Sequence, residues 1–257
     1  MKINAEGLSV YLKATSENID DHFNQPPDLM HLVNQMDEIF QNEIFAHEYN
    51  VSVFAGVLAM NSYTLLLSAV RQALSGHIVT IFPLVRTALE SACYAYLIAH
   101  DEEVERIWLN RNKSKNALEK CRKNLTVQKA KTQLMSLSPD MANLVKQLYD
   151  ESIDHGAHPN RKAVFKHLSN MDEVDEKFHS FILTGVYGEN SWQVNYALLT
   201  CTEYGQAIAF ILAACAKKHP LIHDRCEVFQ KWMDKKNQIA EELNGGEIDY
   251  DDLVPPT

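Results

Sequence analysis

Glycine is scarce in this chain, with 9 glycines in 257 residues against a usual frequency of roughly 7%. Neither glycine nor proline occurs between Leu84 and Ser138. Such long stretches exclude a fold built from many short strands and turns, and they favour helices. The 46% of hydrophobic residues is typical of a globular protein with a buried core.

Cysteine motifs are also absent, because the five cysteines are scattered and form no Cys-x-x-Cys pair. An odd, dispersed set argues against a disulfide framework or a zinc site and indicates reduced thiols. Residues 1–7 contain no apolar signal core. We therefore expect a cytoplasmic protein.

Common catalytic motifs are missing as well. The sequence has no glycine-rich phosphate loop, no Gly-x-Ser-x-Gly and no His-Glu-x-x-His. Glu176 and His179 have the Glu-x-x-His spacing of di-iron bundles, but such bundles need two of these motifs and two more carboxylates. We predict no metal and no cofactor.

Positive charge is in deficit, since the net charge is -10, which disfavours general binding to nucleic acids. The exception is 106–131, with nine basic residues and one acid. We interpret this stretch as a solvated face, as a docking surface for an acidic partner or for the protein's own acidic tail, or as an RNA or DNA contact. The candidate RNA-contacting residues are Arg111, Lys113, Lys115, Lys120, Arg122 and Lys123.

The apolar periodicity and the capping residues predict an all-α fold, a multi-helix bundle of about eight helices in one domain over 1–243. An acidic, disordered tail is expected at 244–257. Short helices are expected at 161–169 and 172–184. The other predicted helices span 5–23, 28–49, 51–74, 77–99, 101–134, 138–155, 191–216 and 221–243.

The predicted helix 101–134 is unusual because its apolar stripe is thin. We interpret it as one long rod that is half exposed, which suggests one arm of a protruding basic helical hairpin. By contrast, 51–70 has twenty residues without a charge, long enough to span a bilayer. Its Asn, Ser and Thr residues favour a central bundle helix surrounded by other helices, so no stable membrane insertion is expected.

Arg86 and Glu90 are charges within the most apolar part of the helix 77–99. Their i,i+4 spacing places them on one face, and charges there need partners or a cavity. The alternatives are a structural ion pair and a ligand pocket lined by Arg86, Glu90 and Glu151.

The segment 151–161 concentrates titratable groups around a helix end. Glu151 and His155 lie one turn apart, and His158 follows Gly156, which terminates helices well. One interpretation is a capping histidine followed by a loop histidine. The other is an acid/base site or part of a metal site.

The segments Leu84–Ser91 and Tyr149–His155 resemble those of bacterial all-α proteins that look distantly related to the HEPN group of helical bundles. Active members are metal-independent RNases with an Arg-x(4–6)-His motif, and their sites usually form across a dimer. Arg161 and His167 fit this spacing, as do Arg71 and His77. Members favour Asn, Asp or His after the arginine, whereas Lys162 and Gln72 follow here.

Three hypotheses result. The first is a non-catalytic bundle that acts through protein or ligand interactions, and the second is a HEPN-type RNase. The resemblance implies catalytic residues Arg161 and His167, with His155 or His158 nearby, in a homodimer. The third is a small-ligand bundle with Arg86 and Glu90 in its pocket.

Overall fold

The chain folds as an all-α, multi-helix bundle in a computed structural model that describes residues 7–48, 50–157, 161–165, 167–175, 178–224 and 226–244. Ten α-helices of eight or more residues occur in these ranges, and α9 and α11 are shorter. The α-helices are α1 Leu8–Asn24, α2 Met30–Ile39, α3 Val53–Leu74, α4 Ile81–His100, α5 Glu102–Leu109, α6 Lys115–Asn124, α7 Val127–Leu134, α8 Pro139–Ser152, α9 Arg161–Phe165, α10 Trp192–Ala214, α11 Pro220–His223 and α12 Cys226–Asn244.

Three segments extend or precede these helices. A π-helical turn, Phe40–Ile44, continues α2, and another, Ile153–Ala157, continues α8. A 3-10 turn, Ile78–Thr80, leads into α4. Gly156 lies in the second π-helical turn with φ 147°, a value that favours glycine, so α8 and its continuation end where the sequence indicates.

The predicted rod over 101–134 is wrong, because this region forms three separate helices, α5, α6 and α7. Each begins at a side-chain cap: Asp101 accepts from the Glu103 amide, Ser114 from Ala117 and Thr126 from Lys129. These caps satisfy amides that a continuous helix would bond to its own carbonyls. The helix α7 packs on α4 and α8, which joins this basic region to the core.

The predicted helix over 172–184 is also wrong, and the one over 161–169 ends early. The structure has instead an antiparallel hairpin of β1, Leu168–Asp175, and β2, Phe178–Leu183. Leu168 lies opposite Leu183, and Asp175 lies opposite Phe178. The expected acidic tail falls, from residue 245 onward, outside the described residues.

The helix α10 forms the centre of the bundle and contacts α2, α3, α4 and α8. Gly205 permits the close approach of α2, since a Cβ atom there would lie 2.1 Å from the Met36 sulfur. Among the residues that the structure describes, three segments are long and apolar enough to cross a membrane by length and composition alone, Val53–Leu74, Ile78–His100 and Trp192–Ala214. The expectation that other helices surround α3 holds only for its inner side, because an apolar face remains exposed.

Candidate functional site

A cavity of about 270 Å³ lies between α8 and α10. The helix α4 contributes one aromatic wall residue, and the π-helical turn after α8 contributes a histidine. Its lining is polar as well as apolar, and such a mixed lining is more typical of a binding site than of a packing defect. The lining residues are Phe82, Leu144, Gln147, Leu148, Glu151, His155, Tyr196, Leu199, Thr200, Glu203 and Tyr204.

Two carboxylates, Glu151 and Glu203, line this cavity, and among the described residues only Glu203 is paired with a cation. Glu203 of α10 is paired with Lys236 of α12, whose Nζ atom lies 3.2 Å from Oε1 of Glu203. Glu151 of α8 accepts a hydrogen bond of 2.7 Å from the Gln147 side chain. Within the described part of the chain, Glu151 has no ion-pair partner.

The pKa of Glu151 is raised above its ordinary value, chiefly because the carboxyl group is partly buried. The hydrogen bond from Gln147 acts in the opposite direction, whereas the negative charges of Glu203 and Asp154 raise this pKa further. A carboxylate in these surroundings lacks a compensating positive charge. A cation that enters the cavity would supply it.

Aromatic rings form much of the wall. The rings of Phe82 and His155 lie 5.4 Å apart at a tilt of 31°. Tyr204 is buried, and its hydroxyl donates to the Leu148 carbonyl, which ties α10 to α8 beside the cavity. Burial, and then the charge of Glu151, raise the pKa of Tyr204, so this hydroxyl remains protonated.

The predicted pocket residues Arg86 and Glu90 lie outside the lining of this cavity. The Nε atom of Arg86 is 3.1 Å from Oε1 of Glu90, and the guanidinium also donates to the Tyr149 hydroxyl at 3.0 Å. It lies 4.9 Å from the centre of the Tyr149 ring. The structure thus places Glu151 in the cavity and the other two residues in an ion pair within α4, which Arg86 links to Tyr149 of α8.

The four predicted catalytic residues occupy different surroundings. Arg161 is exposed, with its guanidinium 5.4 Å from the centre of the Phe165 ring. His167 is buried, and its Nδ1 atom lies 2.7 Å from the Tyr187 hydroxyl. His155 lines the cavity, and His158 lies outside the described residues.

The two residues of the second pair with the Arg-x(5)-His spacing, Arg71 and His77, also lie in different surroundings. Arg71 is exposed near the end of α3, whereas Nδ1 of His77 lies 2.6 Å from the Tyr11 hydroxyl. His167 is thus buried against Tyr187, whereas Arg161 and Arg71 are both exposed. RNase activity stays a prediction.

The six predicted nucleic-acid contacts are all exposed, on α6 and on the turn that precedes it. One of them, Lys120, is paired with Glu103 of α5 at 3.0 Å. Exposed lysine and arginine side chains are available to phosphates, but an ordinary solvated face looks the same. RNA contact therefore also stays a prediction.

Metal-binding groups do not gather in the described part of the chain, where no cluster of three or more His, Cys, Asp or Glu could hold an ion. The predicted Glu-x-x-His spacing involves Glu176, which lies outside the described residues. The cavity lining includes two carboxylates and one histidine, groups that can form hydrogen bonds and ion pairs.

Sequence reasoning missed the side of the cavity that α10 supplies. Glu203 is the only charged residue in this 23-residue apolar helix, so it needs a partner or a cavity, the argument applied above to Arg86 and Glu90. That signal was available in the sequence. The pairing with Lys236 was not, because the two residues are 33 positions apart.

The chain is thus an all-α bundle with an acidic, aromatic-lined cavity beside its central helix. Comparison with protein-family models finds no match, and neither do comparisons with curated proteins and with solved structures.

Proposed function

We propose that this protein binds a small organic amine in the cavity between α8 and α10. The observation that carries the proposal is Glu151, a partly buried carboxylate that faces the cavity without a cationic partner in the described residues. A protonated amine would donate a charge-assisted hydrogen bond to it and relieve its repulsion from Glu203.

A ligand with one positive charge is sufficient to balance the charge of the cavity. Lys236 already compensates Glu203, which leaves the charge of Glu151 to be matched. The side chains of Phe82, Leu144 and Leu199 offer apolar surface to the rest of the ligand. Ring faces such as that of Phe82 also attract cations.

The size of the cavity limits the ligand. About 270 Å³ lies just below the range of roughly 300–1,000 Å³ that is common for small-molecule sites. A monoamine with a short aliphatic or aromatic body fits this space, whereas a nucleotide or a peptide does not.

Binding of n-butylamine, measured by calorimetry, tests the proposal. The reference compounds are n-butanol, which lacks the charge, and butyrate, which has the opposite charge. We expect only the amine to bind the wild-type protein, and Glu151→Gln to weaken binding about tenfold or more, as the loss of one charge-assisted hydrogen bond predicts.

Asp150→Asn is the matched control, because Asp150 is the next carboxylate along α8 but is exposed and paired with Lys146. It should bind the amine as the wild type does. Equal affinity of the wild type and Glu151→Gln would contradict the proposal, as would equal binding of butanol.

The pH dependence provides an independent test. The amine keeps its charge below about pH 10, so Glu151 is the partner whose charge changes as the pH falls. Binding should weaken at the pH at which Glu151 becomes protonated. Because the pKa of Glu151 is raised, this loss begins at a higher pH than an ordinary glutamate would give. The affinity of Glu151→Gln for the amine should not change over the same range.

A further inference from the structure

The outer side of α3 carries an apolar stripe that the other described elements leave largely exposed. Its exposed large residues follow one another at intervals of one, three, three and seven positions, so most of them lie along one side of the helix. We call this surface the α3 face. It consists of Val53, Phe54, Val57, Met60 and Leu67, which are 75%, 37%, 56%, 51% and 41% exposed.

The polar residues of α3 beside the α3 face each already donate a hydrogen bond. Asn61 donates to the Ser91 hydroxyl of α4 at 2.8 Å. The hydroxyls of Thr64 and Ser68 donate to the carbonyls of Met60 and Thr64, each at 2.9 Å. Covering this surface would therefore leave few new unsatisfied donors, which lowers the cost of removing it from water.

One acidic and one basic residue lie toward the two ends of the α3 face. Near its start, Trp108 of α5 packs against Phe54 with ring centres 6.1 Å apart, and Glu105 lies one turn before Trp108. Arg71 is exposed at the other end, about 27 Å further along an ideal helix. In the part of the chain that the structure describes, neither Glu105 nor Arg71 has an ion-pair partner.

We propose that a second copy of this chain covers the α3 face, with the two α3 helices antiparallel about a two-fold axis. In this arrangement the same surface serves both copies, and Arg71 of each lies at the end that carries Glu105 of the other. Placing Arg71 opposite Val53 sets the axis level with Ser62. Val57 of one copy then lies opposite Leu67 of the other.

A second copy explains the surface better than a membrane does. Helices that lie on membranes have cationic polar faces, and anionic lipids attract basic segments. This chain has a net charge of -10, and no lysine or arginine occurs between Val51 and Val70. A membrane-spanning α3 would also have to leave its contacts with α4 and α10.

Sedimentation velocity of the full chain tests this interface. At about 100 µM, a concentration that populates even micromolar dimers, we expect a particle of twice the chain mass of 29.3 kDa. Val57→Lys should yield monomers at this concentration. Leu12→Lys on α1, where the leucine is 52% exposed, is the matched control and should leave the dimer intact.

A charge exchange tests the antiparallel arrangement. Arg71→Glu and Glu105→Arg should each weaken the dimer by about fivefold, and the double variant should restore it. Circular dichroism checks that each variant is folded.

A monomeric wild type at about 100 µM would overturn the proposal, because a specific two-fold interface should be populated there. So would an unchanged dimer in Val57→Lys, or a double charge variant weaker than both single ones. Binding of a monomeric wild type to phosphatidylserine vesicles would assign the α3 face to a membrane instead.

Discussion

The helices α3 and α10 have similar amino-acid compositions but differ strongly in how deeply they are buried in the bundle. They have 22 and 23 residues, and their most apolar windows have mean hydropathies of 1.7 and 1.4. In those windows 39% of α3 is buried and 94% of α10. The more hydrophobic helix is thus the more exposed one, so apolar composition alone does not determine which helix forms the centre.

Packing explains the difference. The helices α2, α3, α4 and α8 pack along α10, while α11 and α12 also contact it, and Gly205 lets α2 approach α10 closely. The helix α3 packs mainly on α4 and α10, which leaves its outer side open. An exposed apolar stripe of this kind commonly marks an interaction surface.

The largest difference in stability between the two helices should come from replacing one leucine in each by alanine. Leu198→Ala removes a side chain of α10 that is 0% exposed, and we expect a loss of about 2–5 kcal/mol in the free energy of unfolding. Leu67→Ala on α3, where the leucine is 41% exposed, should cost less than about 1 kcal/mol.

Urea unfolding at low protein concentration measures both values without a contribution from self-association. Similar losses for the two variants would show that α3 is as buried in solution as α10. This result would contradict the difference in burial between the two helices.

Replacing one glycine in each helix by alanine should change the free energy of unfolding in opposite directions. Gly205→Ala in α10 would force Met36 aside and should destabilise the protein by about 1–3 kcal/mol. A Cβ atom at Gly56 in α3 meets nothing within 4 Å, so Gly56→Ala should stabilise the protein by about 0.5–1 kcal/mol through helix propensity. Thermal unfolding compares the two, and a stabilising Gly205→Ala would contradict the close packing of α10.

The smallest effect concerns the cavity beside α10. The pKa of Glu151 is raised in the folded protein, so its ionisation disfavours folding as the pH rises from the ordinary value of 4.5 through the raised one. Glu151→Gln should therefore be more stable than the wild type at neutral pH. This difference should vanish below pH 4.5, where both side chains are neutral.

Chemical unfolding at several pH values measures this difference. A Glu151→Gln variant that is less stable than the wild type at neutral pH would show that the carboxylate is satisfied without a ligand. The expected gain agrees with a residue retained for binding at some cost in stability.

The fold class could be predicted because it depends on local signals. Low glycine content and residues such as Ser52, Ser138 and Ser191, each of which caps a helix, indicate helices and their starts. Ser114 and Thr126 carried the same signal within 101–134, and the absence of glycine and proline there outweighed it. The hairpin over 168–183 depends on pairing between strands, which helical periodicity does not reveal.

The candidate site was predicted only in part. Glu151 and His155 are neighbours along one helix and its continuation, so their proximity follows from spacing alone. Glu203 and Lys236 reach the site from α10 and α12, and their placement depends on how distant helices pack. The exposure of the α3 face likewise depends on tertiary packing, because composition would equally allow α3 a place in the centre.

The most direct test of the proposed site is a carbon-13 NMR titration of the glutamate carboxyl groups, with and without saturating n-butylamine. Glu151→Gln identifies the resonance of Glu151. We predict a pKa above 4.5 for Glu151 in the free protein and a fall of this pKa when the amine binds. An ordinary pKa that butylamine leaves unchanged would contradict the assignment of this cavity to amine binding.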